Sequence, residues 1–169
     1  MSSFYYGKDD VCKWVRENFP VSATVLDVGA CDGNWRDRLP EYKSIDAVEV
    51  FKPNAVKLIE AGKYRYTFQA DIRDFQYNWY DLIIFGDVIE HMSVPDAQAV
   101  LSYAYTRCKD MIVAVPFLLK QGAIYDNPYE VHVQDDLTRE LFDQRYQGFE
   151  VLVDPGACWN YMYYHKGAR

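Results

Sequence analysis

Short apolar runs recur along the chain, separated by segments in which apolar residues recur every three or four positions. The runs have the length and composition of β-strands. They cover residues 24–28, 45–50, 66–70, 81–85 and 111–115, followed near the C-terminus by 149–153 and 159–164. The apolar stretch within 81–85 suits a strand that is buried on both faces of a sheet. The pattern therefore predicts seven strands.

The segments between the strands carry helix signals. The first predicted helix is capped by Asp9 or Asp10 and ends at Pro20. Its apolar face consists of Val11, Trp14, Val15 and Phe19. Four more helices are predicted. The second runs from about Gly33 to Leu39, and the third begins at Pro53 and ends at Gly62. The fourth begins at Ser93 or Asp96, and the fifth begins at Asp135 or Asp136 and ends at Gly148.

Strands that alternate with helices indicate an α/β fold with a mostly parallel sheet and helices on both faces. The last two strands are joined by a turn at Asp154-Pro155-Gly156, which is too short to contain a crossover helix. We therefore expect these two strands to form a C-terminal antiparallel hairpin.

Composition fits one globular domain over residues 1–169, with an N-terminal helix within 1–20 and no separate lid domain. The chain has 169 residues, half of them hydrophobic, which is enough for one core and short for two. No apolar run approaches the roughly 20 residues of a membrane span, and the N-terminus lacks the basic and apolar regions of a signal peptide. We expect a cytoplasmic monomer or homodimer that does not bind membranes.

Net charge limits the classes of binding partner, and the positions of the cysteines indicate the redox compartment. The net charge of −7 disfavours broad binding to nucleic acid, because such binding depends on neutralising phosphates. Five basic residues that are close in sequence form either a local patch or, more simply, ordinary solvated charges: Arg36, Arg38, Lys43, Lys52 and Lys57. The cysteines are scattered without a Cys-x-x-Cys pair, which predicts buried thiols in a reducing compartment: Cys12, Cys31, Cys108 and Cys158.

Three predicted strands end in or next to an acid. The acids are Asp27, Glu49 and Asp71, and a turn containing Gly29 and Gly33 follows the first of them. Glycines let the backbone approach a ligand closely, and ligands of open α/β sheets bind at the carboxyl ends of the strands. The alternative interpretation is that the acids merely cap strand ends.

These motifs resemble those of the class I S-adenosylmethionine-dependent methyltransferases, from about Val21 to Tyr164. In that family an acid precedes Gly-x-Gly-x-Gly, which stands here as Asp27-Val28-Gly29-Ala30-Cys31-Asp32-Gly33, with Cys31 in place of the middle glycine. The resemblance implies a Rossmann-like seven-stranded sheet and S-adenosylmethionine as the cofactor. A dinucleotide site fits less well, because the glycine spacing is not Gly-x-Gly-x-x-Gly.

The resemblance also implies a role for individual cofactor-binding positions. The first turn would hold the cofactor through Asp27, Gly29, Ala30, Cys31 and Gly33. Glu49, followed by Val50, would bind the ribose hydroxyls, while Asp71 would face the adenine amino group and Ile72 would pack on the ring. Gly86 and Asp87 would lie beside the methionine end of the cofactor.

A second polar group follows the fourth strand. In a helical turn, Asp87, Glu90 and His91 share one face, and His132 follows the fifth strand at the same edge of the sheet. Two carboxylates and imidazole suit a divalent cation or acid–base chemistry. Three interpretations stay open: a bound metal, a metal-free role in supporting the cofactor pocket, and His91 or His132 as a general base.

This second group is similar to two branches of the family, the ubiquinone-pathway O-methyltransferases and the small-RNA 2′-O-methyltransferases. In the latter, a Glu-x-x-Glu-His run and a later histidine hold magnesium beside the acceptor hydroxyl. Asp87, Glu90, His91 and His132 occupy the corresponding positions, with Asp87 one methylene shorter than glutamate. The resemblance therefore implies a Mg²⁺ or Mn²⁺ site.

Another motif, Asn127-Pro128-Tyr129, is similar to the Asn/Asp-Pro-Pro-Tyr motif of amino-methyltransferases. That motif belongs directly after the fourth strand, whereas here it follows the fifth. We interpret it as a turn, which disfavours N-methylation of a base or amide.

Together, the resemblance and the candidate bases predict methyl transfer from S-adenosylmethionine to an oxygen of a small-molecule or sugar-like acceptor. The segment 116–133, with Phe117, Tyr125 and Tyr129, is expected to decide which acceptor binds. Nucleic acid is a less favoured acceptor because the chain is acidic. The alternatives are a non-catalytic cofactor-binding or interaction module, and a nicotinamide-dependent oxidoreductase.

Overall fold

A computed structural model describes residues 5–124, 126–156 and 160–167. Its centre is one sheet of seven strands in the order β3-β2-β1-β4-β5-β7-β6. The strands are β1 Val25–Val28, β2 Ile45–Glu49, β3 Thr67–Gln69, β4 Tyr80–Gly86, β5 Cys108–Pro116, β6 Glu150–Val153 and β7 Tyr161–Gly167. The first five are parallel, whereas β7 runs antiparallel between β5 and β6. The predicted fold class is therefore confirmed.

Within the described residues, five α-helices cover the two faces of the sheet. They are α1 Lys8–Asn18, α2 Asn34–Arg38, α3 Lys52–Glu60, α4 Val94–Tyr105 and α5 Arg139–Arg145. Val11, Trp35 and Leu58 place α1, α2 and α3 on one core, while Val100 and Phe142 place α4 and α5 on the other. Alternate residues of the buried strands point to opposite cores, as the strand period of two requires.

Two predicted helix caps are wrong. Helix α1 begins after Gly7, which has φ +85, and Asp9 and Asp10 lie in the first turn. A Cβ at Gly7 would lie 2.7 Å from Tyr163 Cε2, so packing against β7 decides this helix start. Helix α5 is capped by Thr138, whose side chain accepts a hydrogen bond from Leu141 N, and not by either predicted aspartate.

Two further elements refine the sequence predictions. Ser93 is the side-chain cap of α4, accepting a hydrogen bond from Asp96 N. Strand β3 is short and ends two residues before Asp71. The predicted start of the last strand at residue 159 and Cys158 both lie outside the described residues, and β7 itself begins at Tyr161. In the part of the chain that the structure describes, no helix is long and apolar enough to span a membrane.

Candidate functional site

A cavity of about 670 Å³ opens at the carboxyl ends of β1, β2, β4 and β5. The strand register brings these ends together, since Val28 pairs with Phe85 and Gly86 with Ala114. The volume of this cavity lies in the range of small-molecule sites. Eight of the predicted cofactor positions line it: Gly29, Cys31, Glu49, Val50, Asp71, Ile72, Gly86 and Asp87. Glu90, His91 and His132 line the same cavity.

The turn after β1 requires Gly29. Its N–H donates to the Val48 carbonyl at 2.9 Å, which fixes the turn against β2. The residue has φ +71, and a Cβ there would lie only 2.5 Å from Val88 Cγ2. Any larger residue would force the turn away from the strand end.

Cys31 occupies a strained position in the same turn. Its φ is +48, in the left-handed region that glycine adopts most readily. Burial raises the pKa of the thiol to about 12, so the sulfur stays protonated at neutral pH. The residue that departs from the glycine pattern is thus an inert thiol in the wall of the cavity.

We expect Cys31→Gly to raise the free energy of unfolding. Removing the Cβ relieves about 1–2 kcal/mol of left-handed strain, while glycine costs about 0.5–1 kcal/mol through the entropy of the unfolded chain. The net gain should be about 0.5–1 kcal/mol in urea unfolding. Cys31→Ala keeps the Cβ and serves as the control, so an equal gain in both variants would contradict the strain explanation.

Glu49 is a buried carboxylate at the end of β2. Its Oε2 accepts a hydrogen bond from Cys31 N at 2.8 Å, and its Oε1 accepts one from Phe51 N at 2.7 Å. Burial raises its pKa, although the two N–H groups act in the opposite direction. Each carboxylate oxygen can accept a further hydrogen bond, and Glu49 lines the cavity, so the side chain is a positioned acceptor for hydroxyl groups.

Asp71 lies beyond β3, where it lines the cavity next to Ile72. Its carboxylate is bridged by Arg73, with Arg73 Nη2 donating to Oδ2 at 2.5 Å and Arg73 N donating to Oδ1 at 2.9 Å. The Arg73 guanidinium lowers the pKa of this carboxyl group. Asp71 is therefore held as an oriented anion in the cavity wall.

Three predicted cofactor positions do not line the cavity. Ala30 is buried in the core that contains α1 and α2, and Gly33 lies against Lys63 at the start of α2. Asp27 is buried beneath the turn, where its Oδ2 accepts a hydrogen bond from Tyr64 Oη at 2.6 Å. Within the described residues, these three shape the turn from behind instead of facing the cavity.

Burial raises the pKa of Asp27 to about 7, against the opposing effects of the Tyr64 hydrogen bond and the nearby Lys8 charge. An unfolded aspartate has a pKa of about 3.9. Between these values the folded protein holds a proton that the unfolded chain has released. This contribution to stability is complete below about pH 4 and is lost as the pH rises towards 7.

Asp27→Asn should therefore change the pH dependence of stability. Relative to the wild type, the variant should become progressively more stable from pH 5 to pH 7, by at most about 1.4 kcal/mol per pH unit. Urea unfolding of both proteins at pH 5, 6, 7 and 8 measures this difference. Parallel stability curves would show that Asp27 ionises in the folded protein as it does in the unfolded chain.

Asp87 begins the turn after β4. It has φ +58, and its Oδ1 accepts a short hydrogen bond from Tyr161 Oη on β7. Its Oδ2 is buried and accepts no hydrogen bond from any described residue. A buried carboxylate oxygen without a donor is costly, which marks this atom as an acceptor for a positively charged or hydrogen-bonding ligand.

Glu90, His91 and His132 form a compact group in the lining of the same cavity. Ligand atoms of the three side chains lie within 4.8 Å of one another. Both carboxylate oxygens of Glu90 are buried without a hydrogen-bond donor among the described residues. Burial and the Asp87 charge raise the pKa of Glu90 well above its usual range. Asp87, predicted as a fourth ligand, lies outside this group.

Backbone carbonyls orient both histidines. His91 Nδ1 lies 3.1 Å from Val131 O, and His132 Nδ1 lies 2.7 Å from Leu119 O. Because a carbonyl only accepts, each Nδ1 carries the proton, and in the neutral ring Nε2 is left as a base or metal ligand. Burial lowers the pKa of His91, favouring its neutral form.

Sequence reasoning missed several residues next to the site. Lys8 is fully buried at the start of α1, with its Nζ 4.6 Å from the centre of the Trp35 ring. Burial lowers its pKa, while the charges of Asp87 and Asp27 act in the opposite direction. Tyr161 contacts Asp87 across 74 positions of sequence. No local pattern signals these contacts, because each depends on how α1 and β7 pack beside the sheet.

His165 is half-buried, with Nε2 2.6 Å from Asp110 Oδ1 and its ring against Trp14. It lies near the end of β7, away from the cavity. By contrast, Asn127 accepts a hydrogen bond from Tyr129 N at the start of the short helical turn Pro128–Glu130, as the predicted turn requires.

No protein-family model matches this chain, and no curated protein matches it in sequence. Solved structures do match it. S-adenosylmethionine-bound CalS10, an amino pentose methyltransferase from Micromonospora echinaspora involved in calicheamicin biosynthesis, has a TM-score of 0.72 at 12% identity, covering 99% of this chain and 93% of its own. The N-terminal domain of EvdMO1 with S-adenosylhomocysteine bound has a TM-score of 0.70 at 15% identity, covering 95% and 81%.

An S-adenosylmethionine-dependent methyltransferase from Clostridium acetobutylicum is similar as well. It has a TM-score of 0.69 at 14% identity, covering 95% of this chain and 89% of its own. At these identities the likeness establishes the fold. The chain therefore has the fold of the class I S-adenosylmethionine-dependent methyltransferases, which the sequence motifs predicted.

Proposed function

We propose that this protein transfers a methyl group from S-adenosylmethionine to an oxygen atom of a small-molecule acceptor. One observation carries the proposal: a single cavity is lined both by the Glu49 carboxylate, at the end of β2, and by the Glu90, His91 and His132 group, which follows β4 and β5. The Glu49 carboxylate suits a ribose. The histidines are bases suited to removing a proton from a hydroxyl group.

The residues present fit the cofactor. Glu49 lines the cavity and its carboxylate can accept hydrogen bonds from two hydroxyl groups, and Asp87 Oδ2 lacks a donor that an ammonium group would supply. Asp71 and Ile72 offer a polar acceptor and an apolar surface for a base. Gly29 keeps the turn close to the strand end, so that backbone atoms reach the ligand.

The bound cofactor supplies a methyl group on a positively charged sulfur, which is already a good donor. The protein then has to align the acceptor oxygen with that methyl group, and alignment alone contributes about 7–11 kcal/mol. His132 Nε2 takes the proton as the acceptor O–H bond breaks and the new C–O bond forms. With S-adenosylmethionine bound, the C–S bond would break with its electrons left on sulfur, and the products would be a methyl ether and S-adenosylhomocysteine.

The donor set also fits a divalent metal ion. Glu90 has two unpartnered buried oxygens, and the two histidines are oriented by Nδ1 hydrogen bonds as metal-binding imidazoles are. Two imidazoles and one carboxylate suit a transition-metal ion better than Mg²⁺, which prefers oxygen ligands, and Mn²⁺ is a transition-metal ion that also accepts oxygen ligands. A metal bound here would occupy His132 Nε2 and would lower the pKa of the acceptor hydroxyl, so it is the alternative to His132 as the general base.

Calorimetric titration with S-adenosylhomocysteine, with and without Mn²⁺ or Mg²⁺, tests both parts of the proposal. We expect micromolar binding without metal. A Glu90→Gln variant should still bind S-adenosylhomocysteine but should bind Mn²⁺ at least tenfold more weakly. A titration that follows the spectroscopic signal of Mn²⁺ measures this difference. Absence of S-adenosylhomocysteine binding would favour a non-catalytic module. Equal Mn²⁺ binding by the wild type and the Glu90→Gln variant would contradict the metal site.

A further inference from the structure

The charges in the cavity wall are mostly negative. Five acids line the cavity: Glu49, Asp71, Asp87, Glu90 and Glu130. Among the described lining residues, Arg73 is the one lysine or arginine, and it already pairs with Asp71. The cavity therefore favours a ligand that carries a positive charge over a neutral ligand of the same shape.

Glu130 is a half-buried carboxylate at the end of the short helical turn Pro128–Glu130. Its Oε1 accepts a hydrogen bond from Asn127 Nδ2 at 3.3 Å, and its Oε2 accepts one from Gln121 Nε2 at 3.3 Å. The Gln121 carbonyl in turn accepts a hydrogen bond from His132 N at 3.0 Å. Two neutral amides thus fix the direction of the Glu130 carboxylate next to the histidine segment without neutralising its charge.

The charge of Glu130 acts on both groups of candidate site residues. Burial is the main reason that the pKa of Glu49 is raised, and the charge of Glu130 adds to this effect. Burial and the Asp87 charge raise the pKa of Glu90, and the charge of Glu130 adds to that effect as well. Because the attraction or repulsion between charges falls with distance, the Glu130 carboxylate lies close to the Glu49 carboxylate and also to Glu90.

A second observation points to a cationic ligand. Glu90 lines the cavity and is only 1% exposed, and neither of its carboxylate oxygens accepts a hydrogen bond from a described residue. Asp87 Oδ2 is buried in the same way. Buried acceptors without a donor are costly, and a nearby positive charge on a ligand would reduce that cost.

The methyl donor and its product differ by one charge at one atom. S-adenosylmethionine carries a positive charge on its sulfur, whereas the sulfur of S-adenosylhomocysteine is neutral. This sulfur is linked to the ribose on one side and bears the transferable methyl group on the other. In a donor whose ribose is held at Glu49 and whose methyl group reaches His132, the sulfur therefore lies between the two, where the charge of Glu130 acts.

We infer that Glu130 makes this site discriminate between S-adenosylmethionine and S-adenosylhomocysteine, in favour of the charged methyl donor. The inference rests on the proposed function and adds a specificity-determining residue to it. A carboxylate attracts a positively charged sulfur and gives no such attraction to a neutral one. After methyl transfer the product therefore lacks this attraction, and its replacement by a new molecule of donor is favoured.

Calorimetric titration of the metal-free protein with three ligands tests the inference. The ligands are S-adenosylmethionine, S-adenosylhomocysteine and sinefungin, which carries a protonated amine in place of the charged sulfur and its methyl group. We expect both charged ligands to bind the wild type about tenfold more tightly than S-adenosylhomocysteine, as a nearby carboxylate in a partly shielded site allows. Raising the salt concentration should reduce this preference, because salt screens a half-buried charge.

Glu130→Gln should lower the preference to about threefold or less, because the amide keeps the size of the side chain and removes its charge. Its affinity for S-adenosylhomocysteine should stay at the wild-type value. Glu130→Asp retains the charge and should keep most of the preference. Glu60→Gln, an exposed change at the end of α3 outside the cavity, is the matched control and should keep all of it.

The outcomes separate this inference from the proposed function. If none of the three ligands binds, the proposed function fails and the inference fails with it. If the wild type binds S-adenosylhomocysteine as tightly as S-adenosylmethionine, the inference alone is overturned. A full wild-type preference in Glu130→Gln, with a melting temperature that shows the variant to be folded, would also overturn it. Should that variant not fold, an equal preference at low and high salt in the wild type would do so.

Discussion

His132→Gln is expected to slow methyl transfer by about 10²- to 10⁴-fold, the usual contribution of a positioned general base. Glutamine can still donate a hydrogen bond to the Leu119 carbonyl, which His132 Nδ1 approaches to 2.7 Å. It cannot take a proton from the acceptor. The local backbone should therefore keep its shape while the chemistry is lost. The rate of S-adenosylhomocysteine formation at saturating acceptor measures the effect.

The control for this change is His165→Gln. His165 contacts Asp110 and Trp14 and does not line the cavity, so its replacement should leave the rate within about twofold. Affinity for S-adenosylhomocysteine should be unchanged in the His132 variant. An unchanged rate would remove His132 from the chemistry. Recovery of the rate at high Mn²⁺ would show that His132 acts through a metal ion and not as the base.

The second large effect is expected from Glu49→Gln, which should weaken S-adenosylhomocysteine binding by about 1–3 kcal/mol, roughly five- to 150-fold. The Glu49 carboxylate accepts hydrogen bonds from both Cys31 N and Phe51 N. An amide of the same size accepts at one end only, and its NH₂ would oppose one of these N–H groups. The variant thus disturbs the turn and removes the charge that would receive ribose hydroxyls.

Glu60→Gln is the matched control, since Glu60 ends α3 on the surface of the protein. It should bind S-adenosylhomocysteine as the wild type does. Urea unfolding of the Glu49 variant separates lost affinity from lost folding. Wild-type affinity in a folded Glu49→Gln protein would show that this carboxylate does not contact the cofactor.

Sequence patterns alone predict most of the fold because burial is periodic along the chain. The run 81–85 identifies the central strand β4, and the short link at 154–156 indicates an antiparallel ending without any tertiary information. The helix starts were harder, since Gly7 is set by packing against β7 and the cap of α5 is Thr138 and not the predicted acid. A capping acid is common in sequence, whereas a clash with Tyr163 is visible only in three dimensions.

In the candidate site, too, some features were predictable from sequence and others were not. Residues that follow strand ends were predictable, because parallel strands deliver their carboxyl ends to one edge. Glu49, His91 and His132 all lie at that edge. The direction in which a side chain points was not predictable at Asp27, which follows the strand alternation into the core and contacts Tyr64 instead of the cavity.

The sequence by itself determined the order of strands and helices, the edge of the sheet that carries polar residues, and the family of motifs found there. Only the tertiary structure decided that Tyr161 binds Asp87, that Asp87 is separate from the Glu90, His91 and His132 group, and that Glu130 lines the same cavity as that group. The physical reason is the distance along the chain over which each kind of signal acts. Hydrophobic periodicity reports the local environment of each residue, whereas these contacts join distant segments whose meeting depends on the packing of the whole sheet.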